Sequence, residues 1–205
     1  MTEKEFKVLI SQNDYNRIKK LCSDSEQNTV IQTNYYFDTE DFFFKREDAT
    51  LRVREKNGEY TFTVKVTGIR IEEKGIKEST EYSYKIDYPS FERLCAGGAA
   101  VIEIIPELEK SLPLWKDCFS GIKMLGKLVT ERIKFRPGEG VPFVELDRNS
   151  YLDFTDFELE CEVENSLEVE KFEEWMGVMG LSATQPMKGK YGRFTSRLKT
   201  LRKIL

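Results

Sequence analysis

Histidine is absent from the sequence, which excludes Ser-His-Asp and Cys-His nucleophile systems and His-ligated zinc together. Carboxylates, lysine, arginine, tyrosine and metal-bound water remain as the available chemistry. The four cysteines, Cys22, Cys95, Cys118 and Cys161, lie far apart without C-x-x-C spacing, so neither a zinc ribbon nor a redox pair is indicated. Buried free thiols in a reducing cytoplasm are the expectation. Long apolar runs are missing too: the longest, Ala96 to Ile105, is broken by Glu103 and falls well short of the roughly 20 residues of a membrane-spanning helix. The first residues, Met1-Thr2-Glu3-Lys4-Glu5, are acidic where a secretion signal is basic, so export is not expected and the cytoplasm is. The charge excess is small, −4 from 32 basic and 36 acidic residues, giving no global attraction to nucleic acid or an anionic membrane.

What is present suits one domain spanning residues 1–205: 40% hydrophobic, 33% charged and 12% aromatic residues. The sequence does not choose between a monomer and a homodimer. Charged and apolar residues alternate from Glu3 to Leu9, then Ser11 and Asp14 take capping-box spacing ahead of a helix to about Cys22. Strands are expected at Thr29–Asp38, Thr50–Glu55, Tyr60–Thr67, Lys77–Ile86, Leu125–Phe135, Pro142–Asn149 and Phe157–Glu164. Helices are expected at Pro89–Cys95, within Pro106–Phe119, from Asn165 or Ser166 to near Gly180, and over Tyr191–Leu205 with Phe194, Leu198 and Leu201 on one side. Gly97-Gly98 reads as a helix end. The class is α+β, built on an antiparallel barrel or sandwich.

Asn57-Gly58 is the strongest hairpin signal and fixes a register, Arg54 opposite Thr61 and Arg52 opposite Thr63. Arg52, Arg54, Thr61, Thr63 and Lys65 then share one face, and Leu51, Val53, Phe62 and Val64 the other. By the same parity Glu3, Glu5 and Lys7 align in the first strand, and Thr130, Arg132, Lys134 and Arg136 in the sixth. Glu145 aligns with Asp147 in the seventh, and Glu158, Glu160, Glu162 and Glu164 align in the last. An antiparallel sheet with one solvated face produces the same alternation, so parity leaves both readings open. Segregation by sign favours an organised site, since aligned carboxylates repel unless cations lie nearby. If the charged faces turn inward, the sheet closes into a barrel with a polar lumen and its apolar outside is covered by helices. Carboxylates without histidine or clustered cysteine favour Mg²⁺ or Mn²⁺. Converging guanidinium and ammonium groups favour a multiply charged phosphate, and the combination points to phosphoryl transfer.

The order of motifs resembles the CYTH domains of the triphosphate tunnel metalloenzymes, a family of inorganic and thiamine triphosphatases and class IV adenylyl cyclases. Their E-x-E-x-K hallmark stands as Glu3-Lys4-Glu5-Phe6-Lys7. Gln32 to Thr39, Leu51-Arg52-Val53-Arg54, Thr61 to Lys65, Glu158 to Glu162 and Lys188-Gly189-Lys190-Tyr191 follow in order. The resemblance implies an eight-stranded antiparallel tunnel in which Glu3 and Glu5, with one or more of Glu158, Glu160 and Glu162, hold one or two divalent metals. It implies that Lys7, Arg52, Arg54, Lys65, Arg132, Lys134 and Lys190 bind triphosphate oxygens. A metal-activated water would attack the terminal phosphorus in a triphosphatase, and the ribose 3′-hydroxyl of ATP the α-phosphorus in a cyclase. The chain departs from the pattern in the fifth strand, Glu78-Ser79-Thr80-Glu81-Tyr82-Ser83, where Glu81 is the better candidate for a lumen acid.

The remaining features receive plainer readings. The basic residues of the last helix, Lys188, Arg193, Arg197, Lys199, Arg202 and Lys203, read as a solvated face, with Lys190 the exception that the resemblance draws into the tunnel. The aromatic runs Tyr35-Tyr36-Phe37 and Phe42-Phe43-Phe44 read as packing. The expected function is hydrolysis of tripolyphosphate, with a cyclase or a non-catalytic polyphosphate-binding module as alternatives. No recognisable adenine-binding feature supports the cyclase.

Overall fold

A computed structural model of the chain describes residues 2–22, 29–71, 76–97, 101–181 and 188–202. Strands β1 (Thr2–Ile10), β2 (Thr29–Asp38), β3 (Ala49–Lys56), β4 (Glu59–Ile71), β5 (Ile76–Ile86), β6 (Lys123–Phe135), β7 (Val144–Tyr151) and β8 (Phe154–Glu162) pair in the order β1-β5-β4-β3-β2-β6-β7-β8 and close into a barrel. The expected eight-stranded fold is therefore observed. The helices are α1 (Gln12–Leu21), α2 (Phe43–Arg46), α3 (Tyr88–Cys95), α4 (Val101–Ile104), α5 (Glu107–Ser111), α6 (Ser166–Val178) and α7 (Lys190–Arg202), with a 3₁₀ helix over Pro113–Gly121.

By compactness the chain divides into two units: Gln32–Thr67 with Thr80–Leu128, and Thr2–Ile31, Gly68–Ser79 and Val129–Leu205. In the first, the β3–β4 hairpin turns at Asn57-Gly58 with positive φ at both residues, 54° and 78°, the geometry that suits strand twist and that Asn and Gly tolerate. Arg54 pairs with Thr61 and Arg52 with Thr63, as the turn predicts. Leu51, Val53, Phe62 and Val64 are buried against Phe91 and Leu94 of α3, Val101 of α4, Leu108 of α5 and Phe119. Each such side chain contributes about 1.5–3 kcal/mol. Sequence reading missed α2, because its cap comes from a distance: Asp38, ending β2, accepts hydrogen bonds from Phe44 N (3.0 Å) and Lys45 N (3.1 Å). It also missed the four-residue α4 and did not separate α5 from the 3₁₀ segment.

In the second unit, Phe6, Val8, Ile10, Leu146, Leu159 and Cys161 pack beneath Tyr15 and Ile18 of α1 and Val169, Phe172 and Met176 of α6. Ser11 caps α1 by accepting from Asp14 N at 3.0 Å, and Asn165 caps α6 by accepting from Leu167 N and Glu168 N at 3.0 and 3.2 Å. Strand β8 begins three residues earlier than the expected Phe157 and ends at Glu162, because Tyr151 already pairs with Phe154 across a turn at Leu152-Asp153. Leu152 adopts a φ of 53°, a conformation its residue type gives no reason to expect. On α7, Phe194 and Leu198 are buried, but Leu201 is 47% exposed, and Leu205 lies outside the described residues. The cysteines are free; Cys22 and Cys161 are buried, whereas Cys95 and Cys118 are only partly so. Among the described residues no helix is long and apolar enough to cross a membrane.

Candidate functional site

Each unit has a charged strand face opposite its apolar one, and the charges there are largely withdrawn from water. In the first unit, Arg52 and Arg54 alternate with Leu51 and Val53 along β3, and Lys65 follows Val64 in β4. They converge on Glu81 of β5: Arg52 Nη2 lies 3.3 Å from Glu81 Oε1, and Lys65 Nζ lies 3.1 Å from the same atom. Burial alone raises the Glu81 carboxyl, but the charges of Arg52, Lys65 and Arg54 outweigh it and hold the group below the usual carboxylate range. Arg54 Nε donates to Asn34 Oδ1 at 3.2 Å, and Thr63 and Ser83 share a hydroxyl contact at 3.2 Å. Arg52 Nε is buried and has no acceptor among the described residues. Asn34 was not singled out from the sequence, although Gln32, Asn34, Tyr36 and Asp38 are buried on a single face of β2. Tyr36 thus lies on the polar side, and only Tyr35 and Phe37 of that run belong to the apolar cluster.

In the second unit the register sets Lys7 beside Glu160, Glu145 beside Glu160, and Asp147 beside Glu158. Lys7 Nζ lies 2.6 Å from Glu5 Oε2 and 2.6 Å from Glu160 Oε1. Lys190, opening α7, reaches Glu160 at 2.7 Å, Asp147 at 2.8 Å and Glu158 at 3.2 Å. Arg132 grips Asp147 with two nitrogens at 2.7 and 2.6 Å, reaches Glu160 Oε2 at 2.7 Å, and pairs with Glu145. This bidentate fork is geometry a lysine cannot reproduce. Burial raises a carboxyl, yet Lys190, Lys7 and Arg132 hold Glu160 well below its ordinary range. Burial lowers a lysine, yet Glu160 and Glu5 keep Lys7, and Asp147 and Glu158 keep Lys190, above theirs. Glu145 behaves oppositely: burial raises its carboxyl despite Arg132.

The two faces bring together Glu5, Lys7, Arg132, Glu158, Glu160 and Lys190 in one cluster and Arg52, Arg54, Lys65 and Glu81 in the other. The side chain of Glu3 lies outside the described residues. Glu162, opposite Glu5, is exposed, and Lys134 is exposed with its ammonium 5.5 Å from the centre of the Phe143 ring. Asp147 and Glu145 were aligned by parity but not assigned to the site. Arg193, read from the sequence as part of a solvated face, is corrected: its guanidinium is tied to Asp156 and Glu158 and only 12% of the side chain is exposed. Its spacing of three from Lys190, which shares a helix face, is the signal that was available.

Among the described residues no three Asp, Glu or Cys side chains form a ready metal-binding group. The donor set nevertheless suits a hard cation, being carboxylate oxygen throughout. Glu158 is 0% exposed, and its Oε1 accepts no hydrogen bond among the described residues. A buried carboxylate oxygen without a donor is the atom a cation satisfies. A separate cavity of about 430 Å³, lined by Tyr15, Lys19, Glu131, Arg148 and Phe157 among others, contains none of these residues. Its one carboxylate, Glu131, already accepts from Lys19 at 2.5 Å and Tyr15 at 3.2 Å.

Comparison with known proteins adds independent findings. The pattern describing the CYTH domain matches residues 1–188. A Bacillus subtilis protein named "Putative triphosphatase YjbK" is 28% identical over 163 residues, 78% of this chain and 76% of that one. The crystal structure of a "putative adenylate cyclase" from Bacillus halodurans superposes with a TM-score of 0.71 at 26% identity, covering 94% of this chain and 96% of that one. The Hippeastrum protein HpAC1, described as having a dominant triphosphatase activity, superposes with a TM-score of 0.76 at 21% identity, covering 95% of each chain.

Proposed function

Because the chain belongs to the CYTH domain family, we propose that it is a divalent-metal-dependent hydrolase of triphosphates, with inorganic tripolyphosphate as substrate. The observation that carries this reading is the separation of largely water-shielded charge by sign: cations exceed carboxylates around Arg52, Arg54 and Lys65, and carboxylates exceed cations around Glu158 and Glu160. The name of the Bacillus subtilis relative supports it. Glu5, Glu158 and Glu160, with Glu3 and Glu162 of the same strand faces, would hold Mg²⁺ or Mn²⁺. The ion supplies Lewis acidity and lowers the pKa of water near it.

The protein's own residues do the remainder. Lys7, Arg52, Arg54, Lys65, Arg132 and Lys190 bind the phosphate oxygens, Lys134 to a smaller extent, and neutralise the charge that grows on the leaving pyrophosphate. Glu81, kept ionised by Arg52 and Lys65, accepts a hydrogen bond from the water that attacks the terminal phosphorus and so orients it. A second reading, cyclisation of ATP, is favoured by the name of the Bacillus halodurans relative.

Purified protein incubated with tripolyphosphate, pyrophosphate, ATP and thiamine triphosphate, each with Mg²⁺ or Mn²⁺, separates the readings. Phosphate release selective for tripolyphosphate, lost in Glu5→Gln, supports the triphosphatase; cyclic AMP from ATP would replace it with the cyclase. Tight tripolyphosphate binding without turnover of any substrate would make the protein a capture module.

A further inference from the structure

The acidic face of strand β8 is held by a second cation of α7, one turn beyond Lys190. Arg193 Nη2 lies 2.6 Å from Glu158 Oε2 and 3.3 Å from Asp156 Oδ1, and Arg193 Nε lies 2.8 Å from Asp156 Oδ2. Asp156 also accepts from the Tyr151 hydroxyl at 2.8 Å and from Asn149 Nδ2 at 3.0 Å. Asn149 Oδ1 in turn accepts from the Thr130 hydroxyl at 2.8 Å. The guanidinium is therefore itself fixed, by an aspartate that two other donors, the Tyr151 hydroxyl and the Asn149 amide, hold in place. The oxygen it takes on Glu158 also accepts weakly from Asn149 and Lys190, at 3.4 and 3.2 Å, while Oε1 of the same carboxylate stays buried without a donor among the described residues.

We infer that Arg193 is a positioning residue: by occupying Oε2 it fixes the rotation of the Glu158 carboxylate and presents Oε1 as the acceptor for the divalent cation. The inference rests on the metal-dependent reading above. Residues that orient a metal-binding side chain carry much of a site's affinity, and their loss typically weakens metal binding by about 10–100-fold. Arg193 also brings a positive charge close to the site, and that charge alone repels a cation. The two roles thus differ in sign: deleting an orienting group weakens metal binding, whereas deleting a mere positive charge strengthens it.

The test is a Mn²⁺ titration of the full chain, read by the loss of the free-ion electron paramagnetic resonance signal, with folding checked by circular dichroism. Arg193→Gln is expected to weaken Mn²⁺ binding about 10–100-fold. Arg193→Lys, which keeps the charge but loses the planar fork, should weaken it by less than Arg193→Gln. Arg197→Gln removes the same charge from the same helix, but its partner is Asp153 in the β7–β8 turn, so binding should stay within about twofold of wild type. Unchanged or tighter Mn²⁺ binding in folded Arg193→Gln overturns the inference and leaves the metal reading intact. If Arg193→Gln does not fold, Arg193→Lys decides, and wild-type affinity there overturns it. A wild-type chain that binds no Mn²⁺ overturns the metal reading itself and this inference with it.

Discussion

Around the β3–β4 hairpin the part-buried charges are Arg52, Arg54 and Lys65 with the Glu81 carboxylate among them, whereas along β7 and β8 Asp147, Asp156, Glu158 and Glu160, joined by Glu5 and Glu145, exceed Lys7, Arg132, Lys190 and Arg193. Both faces arise from the same period-2 alternation, and in each a charged side chain keeps one buried atom without a partner among the described residues. In the first it is a donor, Arg52 Nε; in the second an acceptor, Glu158 Oε1. Burying a charge is costly unless an opposite charge answers it. Two faces unbalanced in opposite directions are therefore each suited to a ligand of the sign in short supply, an anion for one and a cation for the other.

The sharpest way to break the contrast is to remove a cation where carboxylates prevail. Arg132→Met removes the cation shared by Asp147, Glu160 and Glu145, of which Asp147 and Glu160 keep Lys190, and is expected to cost about 1.5–3 kcal/mol, the worth of a charged hydrogen bond, measured by urea denaturation. A cost under 1 kcal/mol would mean those carboxylates are answered elsewhere. The opposite face predicts a functional effect. Arg54→Ala removes a charged donor and should raise KM for tripolyphosphate about 10–100-fold, the equivalent of one charge-assisted hydrogen bond. Steady-state kinetics with unchanged KM would detach this face from the substrate.

The contrast also has a pH signature. Folded Glu81 ionises below its ordinary value of 4.5 because Arg52 and Lys65 outweigh its burial. Ionised Glu81 therefore stabilises the fold above that value, and the contribution disappears as the pH falls through the lowered one. Urea denaturation between pH 6 and pH 3 should accordingly show a shallower loss of stability in Glu81→Gln than in wild type. Parallel curves would remove Glu81 from the ion-paired set.

Much of this was legible in the sequence, for definite reasons. Asn57-Gly58 fixed the hairpin register because few residue pairs accept two positive φ values, and from the register the faces of Arg52, Arg54 and Lys65 followed by parity. Parity, however, gives the face of a residue and not its depth along the strand. Glu158, Glu160 and Glu162 share a face of β8, yet the first two are buried and the third is exposed. The turn at Leu152 and the capping of α2 by Asp38 were not legible, since one uses a residue with no turn preference and the other a hydrogen bond spanning six residues. Arg193 was hidden for a third reason: helical periodicity shows which residues share a side, but not that the side covered by Arg193 carries Asp156 and Glu158.

Lys134 is where parity and depth part company most usefully. It shares a strand face with Thr130 and Arg132, and Thr130 is fully buried while Lys134 is exposed. Its ammonium sits 5.5 Å from the Phe143 ring centre, where Arg136 also stacks at 4.4 Å. Such exposed cation–π contacts are worth about 0.5–1 kcal/mol, and with Arg136 on the same ring the loss of one cation is partly covered. A charge in water is screened by solvent and salt, so its pull on a phosphate is small beside that of Arg132 or Lys190. Lys134→Ala should therefore change KM for tripolyphosphate by less than about twofold, and raising the salt concentration should erase even that difference. A KM effect as large as that of Arg54→Ala would mean that Lys134 leaves Phe143 and closes onto the substrate, so that depth as well as face is remodelled when the anion binds.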